Sequence, residues 1–200
     1  MKAAKVIEQK VEIPALDIRT REVAVRGTSP LIIHKFSEKA RKQMQDKQGG
    51  AAKLKRAPKV PREEFESARY IVEGKDCIPA VAFKKAMVGA CRQVDGIPMT
   101  MARGAFHVIG DMLPILGPPP TMRTDVVRLE SGVADIRYRP EFKQWRVDLT
   151  IRYIASAMNP AQLINLLNVA GFAVGVGENR PEKSGAAFGQ FEVVTGAVAA

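Results

Sequence analysis

The chain is 200 residues long, 46% hydrophobic and strongly basic, with a net charge of +10 and an isoelectric point near 9.8. This length supports one compact core carrying an insertion, and the charge favours an acidic partner. No apolar run is long enough to span a bilayer and no secretory signal opens the chain, so a cytoplasmic protein without membrane contact is expected.

Residues 1–19 are polar and weakly patterned. Glu22-Val23-Ala24-Val25-Arg26-Gly27 then alternates as a strand does, and Pro30-Leu31-Ile32-Ile33-His34 extends it after a turn at Thr28-Ser29. Residues 37–48 favour helix, with Ser37 as cap and Gly49-Gly50 as stop. The positive charge gathers here: residues 35–62 hold ten Lys or Arg against Glu38 and Asp46, a net +8. Residues 49–61, rich in Gly, Ala, Lys and Pro, offer little apolar surface to bury. A mobile basic insertion over about 35–62, carrying Lys53, Lys55, Arg56 and Lys59, is therefore expected.

Order resumes near Phe65. A short strand at Tyr70-Ile71-Val72 turns through Glu73-Gly74-Lys75 into Cys77-Ile78, and Pro79 suits the first turn of a helix. In that helix Phe83, Ala86, Met87, Ala90 and Cys91 share one face, which leaves Lys84, Lys85 and Arg92 free for solvent or ligand. Cys77 and Cys91 lack zinc-ligand spacing and read as reduced packing residues. Residues 106–116 read as a strand that Gly117-Pro118-Pro119-Pro120 ends. A hairpin follows, with one arm over 135–139, a turn over 140–143 and a second arm over 145–153. In the second arm Trp145, Val147, Leu149, Ile151 and Tyr153 alternate with Arg146, Asp148, Thr150 and Arg152. Arg137, Arg139, Arg146 and Arg152 can then share a face suited to phosphates.

Asn159 is placed to cap a second helix over 160–170, with Gly171 after it. The segment 174–193 sets Gly175, Gly177, Gly185 and Gly189 around Arg180 and Lys183 and closes on an alternating Phe188, Phe191 and Val193. Glycines let backbone approach a ligand, and loop amides beside cations suit a phosphate. The segment is not a Walker loop, since Lys183-Ser184-Gly185 runs in the wrong order. Nor is it a dinucleotide fingerprint, because Arg180 stands where the third glycine belongs. The order of elements corresponds to βαββαβ. The expected fold is α+β: a ferredoxin-like (RRM-like, split βαβ) core with a basic insertion and an added β-hairpin.

This plan resembles the RAMP superfamily of CRISPR proteins. Ile78-Pro79, Phe83-Lys84 and Ala86 match the start of that family's first helix in spacing, and Gly175, Gly177, Gly185, Phe188 and Gly189 match its glycine-rich loop in form. Ala80, Val81, Ala82 and Lys85 depart from the small-polar and glycine positions of the helix start, and Val88 stands where many members have arginine. The chain is also similar to uncharacterised proteins encoded by phages and prophages. The resemblance implies that Lys84, Arg180 and Lys183 lie beside an RNA backbone, and that the 35–62 insertion contacts RNA or a neighbouring subunit. Processing nucleases of the superfamily use a histidine near the first strand as general acid/base, which would be His34.

His34 and His107 are the two histidines, neither at metal-ligand spacing, and there is no nucleophile elbow or paired acidic motif for magnesium. No metal or cofactor is expected. The expected function is non-catalytic, largely sequence-independent binding of single-stranded RNA, favoured over ssDNA, by a homo-oligomer assembling along its ligand. The candidate contacts are Lys53, Lys55, Arg56, Lys59, Lys84, Arg137, Arg146, Arg152, Gly175, Gly177, Arg180 and Lys183. Three alternatives stand beside it. They are a metal-independent endoribonuclease using His34, a phage ssDNA-binding or annealing protein, and an assembly factor whose basic arm binds an acidic protein.

Overall fold

Two long paired strands lie at the centre of the protein. The computed structural model describes residues 13–36, 38–49, 58–128 and 132–194. Strands β1 (Ile18–Gly27) and β9 (Arg146–Ile154) pair antiparallel along nearly their whole length, with Val23 opposite Leu149 and Val25 opposite Val147. Both apolar rows point to one face, where helices α3 (Ala80–Ala90) and α5 (Pro160–Val169) cover them. Strands β5 (Phe106–Val108) and β10 (Phe191–Val193) complete the sheet in the order β10-β1-β9-β5, every pair antiparallel. Counting only these six elements, the strand order is 4-1-3-2, the ferredoxin-like split βαβ.

The covering helices follow from local sequence. Phe83, Ala86, Met87 and Ala90 fall on one face of α3 and are buried, and Phe83 meets Phe191 edge-on at 5.4 Å. Asn159 begins α5 with a capping box: its side chain accepts from the Gln162 amide while the Gln162 side chain accepts from the Asn159 amide. The helix then widens into a π-turn over Ala170–Val174, closed by the Gly175 amide donating to Ala170 carbonyl at 2.8 Å. Gly171 is required at this widening, because a Cβ there would stand 1.9 Å from the Phe191 carbonyl oxygen.

Two smaller sheets flank the core. One joins β2 (Leu31–Ile32), β8 (Ala134–Phe142) and β7 (Thr121–Arg128). The other joins β3 (Tyr70–Val72), β4 (Lys75–Pro79) and β6 (Met112–Pro114). Helix α1 (Glu38–Gln48) lies where the sequence places it, and α2 (Pro61–Ser67) packs Phe65 into the protein and lies against β8. Ser37, the expected cap of α1, lies outside the described residues, as do residues 50–57. A short α4 (Met99–Ala105) precedes β5.

Three expectations are corrected. The added hairpin exists, but its arms are β7 and β8. The arms 135–139 and 145–153 instead enter different sheets, because Phe142 is buried beside Leu31 in one and Trp145 against Phe191 in the other. The strand expected over 106–116 splits into β5 and β6 around Gly110, at φ 102°. Phe188 precedes the final strand rather than joining it.

The glycine-rich segment is bound to the β1–β2 connection through backbone. Gly189 donates to Pro30 carbonyl at 2.8 Å, Glu178 to Ile32 carbonyl at 2.8 Å, and Val176 to Gly189 carbonyl at 2.9 Å. Side chains are excluded from this clasp: a Cβ on Gly189 would sit 1.8 Å from Val176 carbonyl oxygen, and one on Gly177 would sit 2.4 Å from that of Ile32. Gly185 shares the left-handed conformation, at φ 69°, with nothing within 4 Å. Urea denaturation should therefore separate the two: Gly185→Ala costs about 1 kcal/mol of backbone strain, and Gly189→Ala about 3 kcal/mol or more once overpacking is added. Equal losses would show that the clasp tolerates a side chain.

Candidate nucleic-acid interface

The clasp forms one wall of a groove whose other walls are the start of α3, the segment after β2, and β3. The cavity measures about 390 Å³. Ile33, Ile78, Val174 and Val176 give it an apolar floor, and Lys85, Arg180, Glu178 and Glu182 stand around it with His34 and Tyr70. Pro79 is the N-cap of α3 rather than its first residue, so it offers no capping oxygen, and no acid lies in the first turn. Ala80 amide donates to Asp111 carbonyl at 2.8 Å. The remaining first-turn amides have no intrahelical acceptor, and they put the positive end of the helix dipole beside Lys85 at the groove.

The structure brings together Gly175, Gly177, Arg180 and Lys183, as the sequence suggests. The two glycines line the groove, but close protein backbone, rather than a ligand, is what requires them. Arg180 donates to Gly177 carbonyl at 3.1 Å and lies 3.7 Å from Glu182, and Lys183 lies 3.5 Å from Glu178 with its side chain 56% exposed. Glu182 also accepts from Arg92. Lys85, Tyr70, Glu178 and Glu182 are groove residues that the sequence does not assign to a site. Of these, Lys85 alone carries a sequence signal, its position off the apolar stripe of α3.

Other expected contacts are held elsewhere. Lys84 is not free: its ammonium donates to the carbonyls of Ala102 (3.1 Å), Arg103 (2.9 Å) and Phe106, and lies 4.1 Å from the centre of the Phe106 ring. An ammonium has three donors, so this closes the C-terminus of α4 and leaves none for a phosphate. Burial lowers the Lys84 pKa accordingly. Lys59 pairs with Asp135 at 2.7 Å and donates to Ile136 carbonyl, tying the insertion to β8. Lys53, Lys55 and Arg56 lie outside the described residues.

The four arginines do not share a face. Arg137 and Arg139 are on β8, where Arg137 pairs with Asp135 at 3.0 Å, and Arg139 is 5% exposed between Asp125 (3.5 Å) and Glu178 (3.9 Å). Arg146 and Arg152 lie on the helix-free face of β9, Arg146 with Asp148 at 2.9 Å and Arg152 between Thr20 and His107 in register. That face carries His107 but no Phe, Tyr or Trp of its strands: Phe106, Tyr153 and Phe191 all point into the core. It lacks the stacking platform by which an RRM sheet holds bases.

His34 sits at the back of the groove with its Nε2 3.1 Å from an Arg137 amine. Arginine can only donate, so Nε2 accepts and the ring proton belongs on Nδ1, which is buried without a partner. Burial first, then Arg139 and Arg137, push the His34 pKa down to about 4. A general acid working near neutral pH must hold a proton there, and this imidazole does not.

No protein-family model matches the sequence, and no curated protein matches it. The crystal structure of Cmr6 from Pyrococcus furiosus is similar over 90% of this chain and 100% of the other, at 8% identity and a TM-score of 0.48. The likeness is one of fold alone. Among the described residues no helix is long and apolar enough to cross a membrane.

Two measurements check these assignments. Lys84→Met should lower stability by about 2 kcal/mol, the scale of charged hydrogen bonds lost to a buried helix end, without altering single-strand affinity. A loss of affinity at unchanged stability would return Lys84 to the interface. For His34, the unfolded chain takes up a proton below its ordinary value of 6.5, whereas the folded chain does so only near 4. Stability from this residue is therefore present above pH 6.5 and is lost as pH falls toward 4. Unfolding curves across that window should be flatter in His34→Gln by up to one proton, and identical slopes would contradict the shift.

Proposed function

We propose that the protein binds single-stranded nucleic acid without cleaving it, RNA in preference to ssDNA, with the backbone crossing the groove at the start of α3. The observation that carries this reading is the convergence of three separate chain segments on one groove: the uncapped end of α3 with Lys85, the Arg180–Lys183 turn, and the wall after β2. Oriented amides beside cations suit a phosphate, and the apolar floor suits the unstacked part of a nucleotide. The surplus charge of 35–62 adds a sequence-independent attraction that the groove, with its own acids, does not supply. The RAMP resemblance favours RNA, and assembly of several copies along one strand belongs to the same reading.

Fluorescence anisotropy with a labelled single strand tests it. Lys85→Ala, Arg180→Ala and Lys183→Ala combined should weaken binding by about tenfold or more and make the slope of log affinity against log salt shallower by about 2, since roughly 0.7 counterion is released per phosphate contact. The melting temperature should change little, because none of the three is buried. Wild-type affinity and slope in a folded variant would remove the groove from the binding surface.

A further inference from the structure

Resting on the groove as a single-strand site, we infer that it seats one guanine base, whose N1–H and N2–H2 edge is accepted by the Glu178 carboxylate while the ring lies on the apolar floor beside Tyr70. A phosphate gains nothing from the apolar lining, where Val81, half exposed, and Ala82 overlie the buried Ile33, Ile78, Val174 and Val176, whereas a planar base covers it with a face. The cavity of about 390 Å³ has room for one base with its sugar, not for a stacked pair.

Glu178 is the feature that a phosphate site alone does not explain. A carboxylate repels the phosphates of a nucleic acid, so at a nucleic-acid groove it calls for a ligand group with donors. Its backbone is fixed by the hydrogen bond that its amide donates to Ile32 carbonyl at 2.8 Å, which holds the residue on the wall of the clasp. Its carboxylate is held only loosely, 3.5 Å from Lys183 and 3.9 Å from Arg139, and is one quarter exposed. Glu182, by contrast, is engaged by Arg92 and Arg180. Tyr70 and Glu178 line the same cavity, and burial first, then the charge of Glu178, raise the Tyr70 pKa.

Among the bases, guanine alone offers two adjacent donors to a two-oxygen acceptor. Adenine and cytosine present one amino group next to a ring acceptor, and the uracil imino group is flanked by two carbonyls that a carboxylate repels. One position in each bound segment would be read, with the rest of the strand held without regard to sequence.

The test uses the full chain and single-stranded nonamers, as RNA and as DNA, of uracil or thymine with one central base: guanine, hypoxanthine, adenine or cytosine. Guanine should bind about tenfold more tightly than adenine, and hypoxanthine, which lacks the N2 amino group, should fall between. Glu178→Gln should erase the difference between guanine and adenine. Equal affinity for all four bases in the wild type overturns the guanine seat while leaving the groove as a binding surface, and this arm decides even if the variant fails to fold. Discrimination that survives in folded Glu178→Gln also overturns it. Failure to bind any nonamer overturns the groove reading and the guanine seat together.

Discussion

The backbone clasp between the glycine-rich segment and the β1–β2 connection is the constraint on which the rest of the molecule depends. Two bonds, from Gly189 to Pro30 and from Glu178 to Ile32, put chain segments some 150 residues apart at hydrogen-bonding distance, and a third, from Val176 to Gly189, closes the glycine-rich segment on itself. Side chains cannot intervene there, so Gly177 and Gly189 are fixed by packing before any ligand is considered. The clasp holds the last strand against β1 and fixes the floor residues Val174 and Val176. It also turns Glu178 and Arg180 toward α3. Trp145 reinforces it from beneath, donating to Ser29 carbonyl at 2.8 Å and lying against Phe191 and Gly27. The groove is thus a by-product of how the core is closed.

The hairpin β7–β8 has the reverse of the usual polarity. Its inward face carries Arg123, Asp125, Asp135, Arg137, Arg139 and Glu141, while Met122, Val126 and Ile136 on the other face are exposed, Val126 by 73%. A charged inner face is tolerable only if its charges are matched. Arg123 lies 2.7 Å from Asp125 and 2.8 Å from Glu141 and covers the Phe188 ring, Asp135 receives Arg137 and Lys59, and Arg139 lies between Asp125 and Glu178. This network borders His34, whose imidazole is kept neutral by burial first and by Arg139 and Arg137 second. A histidine and two arginines behind the groove therefore contribute far less free positive charge than their number implies.

Legibility in the sequence follows the range of the forces involved. The βαββαβ order is readable because it rests on local periodicity: the alternation of β9, the apolar stripe of α3 and the Asn159–Gln162 capping box each lie within a dozen residues. The hairpin arms are misread at Phe142-Lys143-Gln144-Trp145, where two buried aromatics commit adjacent strands to different sheets through partners at Leu31 and Phe191. Helix α4 is not legible because seven residues with Gly104 inside carry little pattern, and its C-terminus is completed by Lys84 from another helix. Lys84 shows the limit for sites as well. Position off an apolar stripe says that a side chain is not in the core. It does not say whether distant carbonyls have claimed it.

The same limit separates affinity from placement. Most of the chain's surplus charge sits in 35–62, where composition alone identifies it, while the groove brings Lys85 and Arg180 together with Glu178 and Glu182, and Lys183 reaches it only through its pair with Glu178. A long-range attraction needs only net charge and weakens with salt. A shaped cleft with mixed charge and an apolar floor attracts little from a distance, but it discriminates among the groups that enter it. On the proposed reading, the insertion supplies the encounter and the groove the register of the strand. Electrostatics in the first can be strong and unselective because the second is nearly neutral, and a carboxylate is tolerable at the point of contact only because the attraction is generated elsewhere.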